Sequence, residues 1–173
     1  MDTLDRLFLA CSVSQMRQKM DRIGTCVSQL GDEQIWARGS ENENAIGNLM
    51  LHLAGNVRQW IVSGVGGAPD ARDRDSEFAA QGGMSKVALE SRLRQTVADA
   101  VEVIEQLTPE RLATPVTIQG YQVSVLEAVY HVVEHFSMHT GQIIFATKML
   151  TGSDLGFYRH LSGRGHGQGQ RTP

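Results

Sequence analysis

Three of the chain's six histidines, His131, His135 and His139, recur at every fourth position within the stretch Tyr130 to Ile144. On a helix each four-residue step turns about 40° past a full turn and climbs about 6 Å, so the three form one stripe. Neighbouring imidazoles in such a stripe can chelate one metal ion. His131 and His139 are about 12 Å apart along the axis, too far for both to reach an ion at a metal–nitrogen distance of about 2.0–2.1 Å. One pair therefore binds and the third histidine does something else. The plain alternative is a stripe of half-buried, hydrogen-bonded histidines holding no ion. A fourth histidine, His52, stands about 120° from the centre of the apolar arc of its own helix, with Asn56 at about 80°. Such a flank position suits either a ligand aimed into a bundle cavity or a surface histidine.

The segments that must position these residues read as helices. The first runs from about Thr3 to Leu30, with Leu4, Leu7, Phe8 and Cys11, then Met16, Met20, Ile23, Val27 and Leu30 as its apolar stripe. The five-residue step after Cys11 and the glycine at Gly24 permit a bend. Asp32 to Asn44 is polar and irregular, with Trp36 as a plug over the bundle end. The second helix spans about Ala45 to Ser63, with Ile46, Leu49, Met50, Leu53, Val57, Trp60 and Ile61 as its arc. Gly64 to Met84 reads as a loop whose alternating charges, Arg72 to Asp75, form a solvated, self-paired segment. Ser85 caps a third helix carrying Leu89, Leu93, Val97, Ala100, Ile104 and Leu107, and Thr108-Pro109 ends it. Pro115 to Val123 alternates around Gly120, as a small hairpin does.

The fourth helix opens with the capping box Ser124-Val125-Leu126-Glu127 and runs to about Leu150-Thr151-Gly152. Relative to its main apolar arc, His139 lies about 70° away, His135 about 110° and His131 about 150°, so the pair His135 and His139 points most directly into a bundle. A second apolar group, Met138, Phe145 and Met149, pulls the other way and would favour His131 with His135. That group also predicts burial on two sides, by the bundle and by a second subunit. Glu134 and Gln142 border the stripe and can orient a ligand or face solvent. Asp154 to Leu161 reads as a short helix, and 162–173 as a disordered Gly-rich tail. The fold class is thus all-α, a four-helix bundle over 1–161 with a hairpin-like segment before the last helix. Connections of about fourteen, twenty and sixteen residues exceed those of a simple up-and-down bundle and call for at least one crossover.

A chain of 173 residues with 41% hydrophobic and 20% charged residues suits one soluble domain with a real core. A net charge of −3 with scattered Lys and Arg gives no reason to expect nucleic-acid binding. No apolar run approaches the roughly 20 residues of a membrane span, and Met1-Asp2-Thr3-Leu4-Asp5 lacks the basic start of a signal peptide, so the expected location is cytoplasmic. Cys11 and Cys26 fall in one helix about 22 Å apart, beyond disulfide reach, and are expected to be reduced apolar fillers.

The segments Gly47-Asn48-Leu49-Met50-Leu51-His52-Leu53-Ala54-Gly55-Asn56 and Glu134-His135-Phe136-Ser137-Met138-His139-Thr140-Gly141-Gln142-Ile143 resemble the ligand-bearing segments of the DinB-like superfamily of metal-binding four-helix bundles. The resemblance extends from about residue 4 to 160. The Arg72-Asp73-Arg74-Asp75-Ser76-Glu77-Phe78 segment is similar in particular to a branch of unassigned function. It implies a divalent ion, Zn²⁺ or Ni²⁺ by ligand type, held by His52, His135 and His139 with positions left open to water or substrate. It further implies a homodimer and, from characterised relatives, a small-molecule substrate and a low-molecular-weight thiol such as mycothiol, bacillithiol or glutathione. The expected activity is that of a thiol-dependent S-transferase or a hydrolase. The alternative is a non-catalytic metal-binding or stress-response bundle.

Overall fold

A computed structural model describes residues 3–161. Four long helices carry it: α1 (Leu4–Ser28), α3 (Ile46–Val57), α5 (Lys86–Glu105) and α7 (Val125–Thr151). Between them lie the short helices α2 (Asp32–Ile35), α4 (Arg74–Ala79) and α6 (Pro109–Leu112) and the strands β1 (Pro115–Ile118) and β2 (Tyr121–Ser124). The expected Gly-rich tail, 162–173, lies outside the described residues. Among those described, no helix is long and apolar enough to cross a membrane.

α1 packs against α5 and α7, and α3 packs against the same two helices. Consecutive long helices α1 and α3 therefore stand at diagonal corners, as do α5 and α7, which is why both connections are long crossovers. The core between them holds Met16, Ile23, Met50, Leu53, Ile61, Leu89, Leu93, Ile104 and Phe136, all fully buried. Each such side chain contributes roughly 1.5–3 kcal/mol of transfer free energy.

Local signals set the ends. Ser124 Oγ accepts from Glu127 N while Glu127 Oε2 accepts from Ser124 N at 2.7 Å, a reciprocal cap for α7, and the left-handed Gly152 (φ 64°) stops it. Ser85 caps α5 in the same way, accepting from Ala88 N. β1 and β2 pair antiparallel through a two-residue turn in which Gln119 (φ 52°) and Gly120 (φ 82°) both take positive φ, the twist that tight hairpins need.

Several expectations are corrected. The start of the α1 stripe is Leu9 and Val13, not Leu4, Leu7 and Cys11, all of which are exposed; beyond the five-residue step the periodicity points to another side of the helix. Cys11 is accordingly no core filler, whereas Cys26 is buried. Gly24 makes no break in α1; a Cβ there would lie 2.4 Å from Arg94 Nη2, so its bareness admits a side chain of α5. Asp32 to Asn44 contains α2, and Trp36 donates from Nε1 to Met84 O while its ring covers Gly47. α3 continues as a π-helical segment over Arg58–Val65, where Gly64 lets Ile118 of the hairpin approach. Asp154 to Leu161 forms turns and one 3₁₀ turn, Arg159–Leu161.

Candidate metal centre

Every residue of α3 is buried, because α5, α7 and α4 surround it. That burial decides the case of His52, which lies inside with 5% of its surface exposed. Its Nε2 stands 3.2 Å from His135 Nε2, and His139 Nε2 stands 3.2 Å from the same atom. His52, His135 and His139 form one group in which the possible ligand atoms all lie within 4.8 Å of one another. His131 is outside it. That ring packs against Trp60 at 4.1 Å between centroids and against His135 at 5.5 Å.

The opposite face of each ring shows what the convergent atoms are. His52 Nδ1 lies 3.1 Å from Glu77 Oε2, and His139 Nδ1 lies 2.6 Å from Gln142 Oε1. A carboxylate and an amide oxygen accept only, so a proton on each Nδ1 satisfies both and leaves both Nε2 atoms with lone pairs; at His52 the Arg72 Nη2 donor beside Nδ1 is itself committed to Glu77 Oε2 at 2.8 Å. His135 Nε2 can donate to just one of them, which leaves at least one lone pair against another. A cation between the three nitrogens removes that conflict. For a tetrahedral ion at a metal–nitrogen distance of about 2.05 Å the nitrogen–nitrogen edge is about 3.3 Å, close to the two edges of 3.2 Å that meet at His135 Nε2. The donor set fits a divalent metal.

Electrostatics support neutral ligands. Burial, then the neighbouring His139, His52 and His131, push the His135 imidazole down to about 3. Burial also lowers His139, against the Gln142 hydrogen bond, and lowers His131, against the charge of Glu134. Burial would raise the Glu77 carboxyl, but hydrogen bonds from Arg72 and His52 outweigh it and hold the group below the ordinary carboxylate range.

Glu77 and Arg72 are residues that the sequence reading missed. Arg72 donates to Glu77 through Nε at 2.7 Å and Nη2 at 2.8 Å, with both side chains almost fully buried, so Arg72 leaves the expected solvated run, whose other members Asp73, Arg74 and Asp75 are exposed. Arg72 Nη2 also lies 3.1 Å from His52 Nδ1. The α4 segment bearing Glu77 is tied down by Asn48, one turn before His52. Its Nδ2 donates to Glu77 O at 2.9 Å and Ala80 O at 2.8 Å, and Arg38 Nη2 donates to Ala80 O and to Asn48 Oδ1. Gly55 provides the room: a Cβ there would stand 1.8 Å from Glu77 Oε1. Phe78 rests on the His52 ring at 4.7 Å, with the Arg74 guanidinium over the Phe78 ring at 4.9 Å. Nothing in a polar loop announces an Arg and a Glu five apart as a buried pair; the signal lay in their partner, a buried Asn-x-x-x-His on an apolar helix.

Three comparisons place this architecture among known proteins. A conserved protein of Enterococcus faecalis has a similar structure, with a TM-score of 0.69 and 16% identity over 83% of this chain and 97% of that one. A DinB-like protein of Bacillus subtilis superposes with a TM-score of 0.65 and 16% identity, covering 85% and 96% of the two chains. A mycothiol-dependent maleylpyruvate isomerase superposes with a TM-score of 0.60 and 17% identity, over 78% of this chain but only 60% of its own length. No curated protein matches the sequence. The profile of the family described as protein of unknown function, DUF1572, matches residues 3–162, so the chain belongs to DUF1572, and its fold is similar to that of the DinB-like proteins.

Proposed function

We propose that the chain is a metal-dependent enzyme whose divalent ion is held by His52, His135 and His139, and that it acts on a small molecule with a low-molecular-weight thiol. The observation that carries this reading is the convergence of three Nε2 lone pairs whose Nδ1 protons, at His52 and His139, are already committed to Glu77 and Gln142. A trio of neutral imidazoles leaves coordination positions open, as catalytic sites do, and a divalent ion there supplies Lewis acidity that activates a thiol or a water. By ligand type Zn²⁺ or Ni²⁺ fits. The thiol is inferred from the mycothiol-dependent isomerase of the same fold.

The chain's own residues divide the remaining work. Glu77, clamped by Arg72, fixes the tautomer and ring plane of His52; Gln142 does the same for His139. Phe78 covers the His52 ring on one side and excludes water from it. The described residues 3–161 form one domain, and Met138, Phe145 and Met149 on α7, all exposed, provide the face for a homodimer.

Elemental analysis of untagged protein, followed by thermal-shift titration of mycothiol, bacillithiol and glutathione with the metal bound, tests the reading. The expected result is near-stoichiometric zinc or nickel and a rise in melting temperature with one thiol. Metal without any thiol response and without exchangeable coordination positions would favour a non-catalytic, bundle-stabilising ion instead.

A further inference from the structure

Among the described residues, four buried side-chain polar atoms have no hydrogen-bond partner, and three of them lie on the turns of α3, its π-helical extension and α7 that carry the histidines: Asn56 Oδ1, Trp60 Nε1 and His135 Nδ1. The register explains why. His52 touches His135 and His139, whereas Trp60, two turns further on, touches His131, two turns back, so α3 with its π-helical extension runs antiparallel to α7. Asn56, midway between His52 and Trp60, therefore stands level with the His131–His135 turn. Asn56 and Trp60 are each only 4% exposed.

The three atoms are chemically complementary but make no direct bond. With Nε2 of His135 turned to the metal, its Nδ1 carries a proton; the Trp60 indole also donates, and the Asn56 carbonyl accepts. One water molecule can accept two such bonds and donate the third, and about three polar partners is the usual holding of an internal water. His135 also needs such a partner most. His52 and His139 have direct acceptors on Nδ1, while His135, whose Nε2 is 3.2 Å from both of theirs, has none.

We propose that Asn56 is a positioning residue of the metal centre, orienting His135 through a buried water that it shares with the Trp60 indole. The inference rests on the reading of His52, His135 and His139 as metal ligands. Loss of an outer partner of this kind lowers metal affinity about 10- to 100-fold.

The test is zinc affinity by competition with a chromophoric chelator, together with imidazole ¹H–¹⁵N spectra of the zinc-loaded protein. Asn56→Leu should weaken zinc binding about 10- to 100-fold, while Asn56→Asp, which keeps an oxygen acceptor in place, should bind as tightly as the parent or more so. The metal-free Asn56→Leu chain should melt no lower than the metal-free parent, a split that a merely structural asparagine would not give. The parent should show a slowly exchanging Nδ1 proton on His135 that Asn56→Leu loses and that exchanges faster in Trp60→Phe, a variant that keeps the proposal open to refutation if Asn56→Leu does not fold. Unchanged zinc affinity in Asn56→Leu, equal losses in Asn56→Leu and Asn56→Asp, or a His135 proton indifferent to both Asn56 and Trp60 would overturn the inference alone. A parent that binds no zinc at these histidines would overturn the metal reading and the inference together.

Discussion

Removing one imidazole at a time separates ligands from neighbours. His52→Ala, His135→Ala and His139→Ala should each reduce zinc retention by more than the about 10- to 100-fold typical of an outer partner. His131→Ala should keep most of the metal, because that ring packs on Trp60 rather than toward the shared point. Dialysis against trace zinc with elemental analysis reads both; loss of metal in His131→Ala with retention in His139→Ala would reassign the site. Acid should act through the same residues. In the folded, metal-free chain His135 binds a proton only near pH 3, whereas the unfolded side chain does so near pH 6.5. Between those values the unfolded chain holds the extra proton, so stability from this group is full above about pH 6.5 and is lost as the pH falls toward 3. Melting temperatures of chelated protein from pH 8 down to pH 4 should fall, and less so in His135→Gln.

At the scale of elements, close packing around α3 makes glycine positions unequal. Gly55→Ala must push the Glu77 carboxylate off α3, since the added carbon would meet Glu77 Oε1, and with it goes the acceptor of His52. Lower melting temperature and about 10- to 100-fold weaker zinc binding are expected. Gly141 on α7 has nothing within 4 Å of its would-be Cβ, so Gly141→Ala should stabilise by up to about 1 kcal/mol in denaturant titration. The elements themselves were legible: apolar periodicity gave four helices, and caps at Ser85 and Ser124 placed two starts to within a residue. Alternation around Gly120 gave the hairpin. Periodicity misled at Leu4 and Leu7, which share a face of α1 different from that of the buried Leu9 and Val13. It was also silent for Arg72 and Glu77, whose burial depends on Asn48, Arg38 and Gly55 from elsewhere in the chain. His52 lay on the flank of its own arc, and the packing of both α4 and α7 against that flank makes it interior.

For the whole molecule, a metal bound by the folded chain alone adds stability by mass action. At free zinc of about 100 times Kd the gain is about 2.7 kcal/mol, or roughly 5–11 °C for a chain of this size. Chelation should therefore lower the melting temperature by that order in a thermal scan; equal melting at verified occupancy would count against the site. The exposed Met138, Phe145 and Met149 predict association, so light scattering at micromolar concentration should give twice the 19.0 kDa chain mass. The diagonal placing of successive helices has a further consequence, in the folding of the chain. His52 and His135 are 83 positions apart and on helices that never follow one another, so their meeting closes a long loop late in assembly. An ion joining them works as a reversible staple across that loop: unlike a disulfide it leaves the unfolded chain unrestrained, so its effect rises and falls with the free metal concentration.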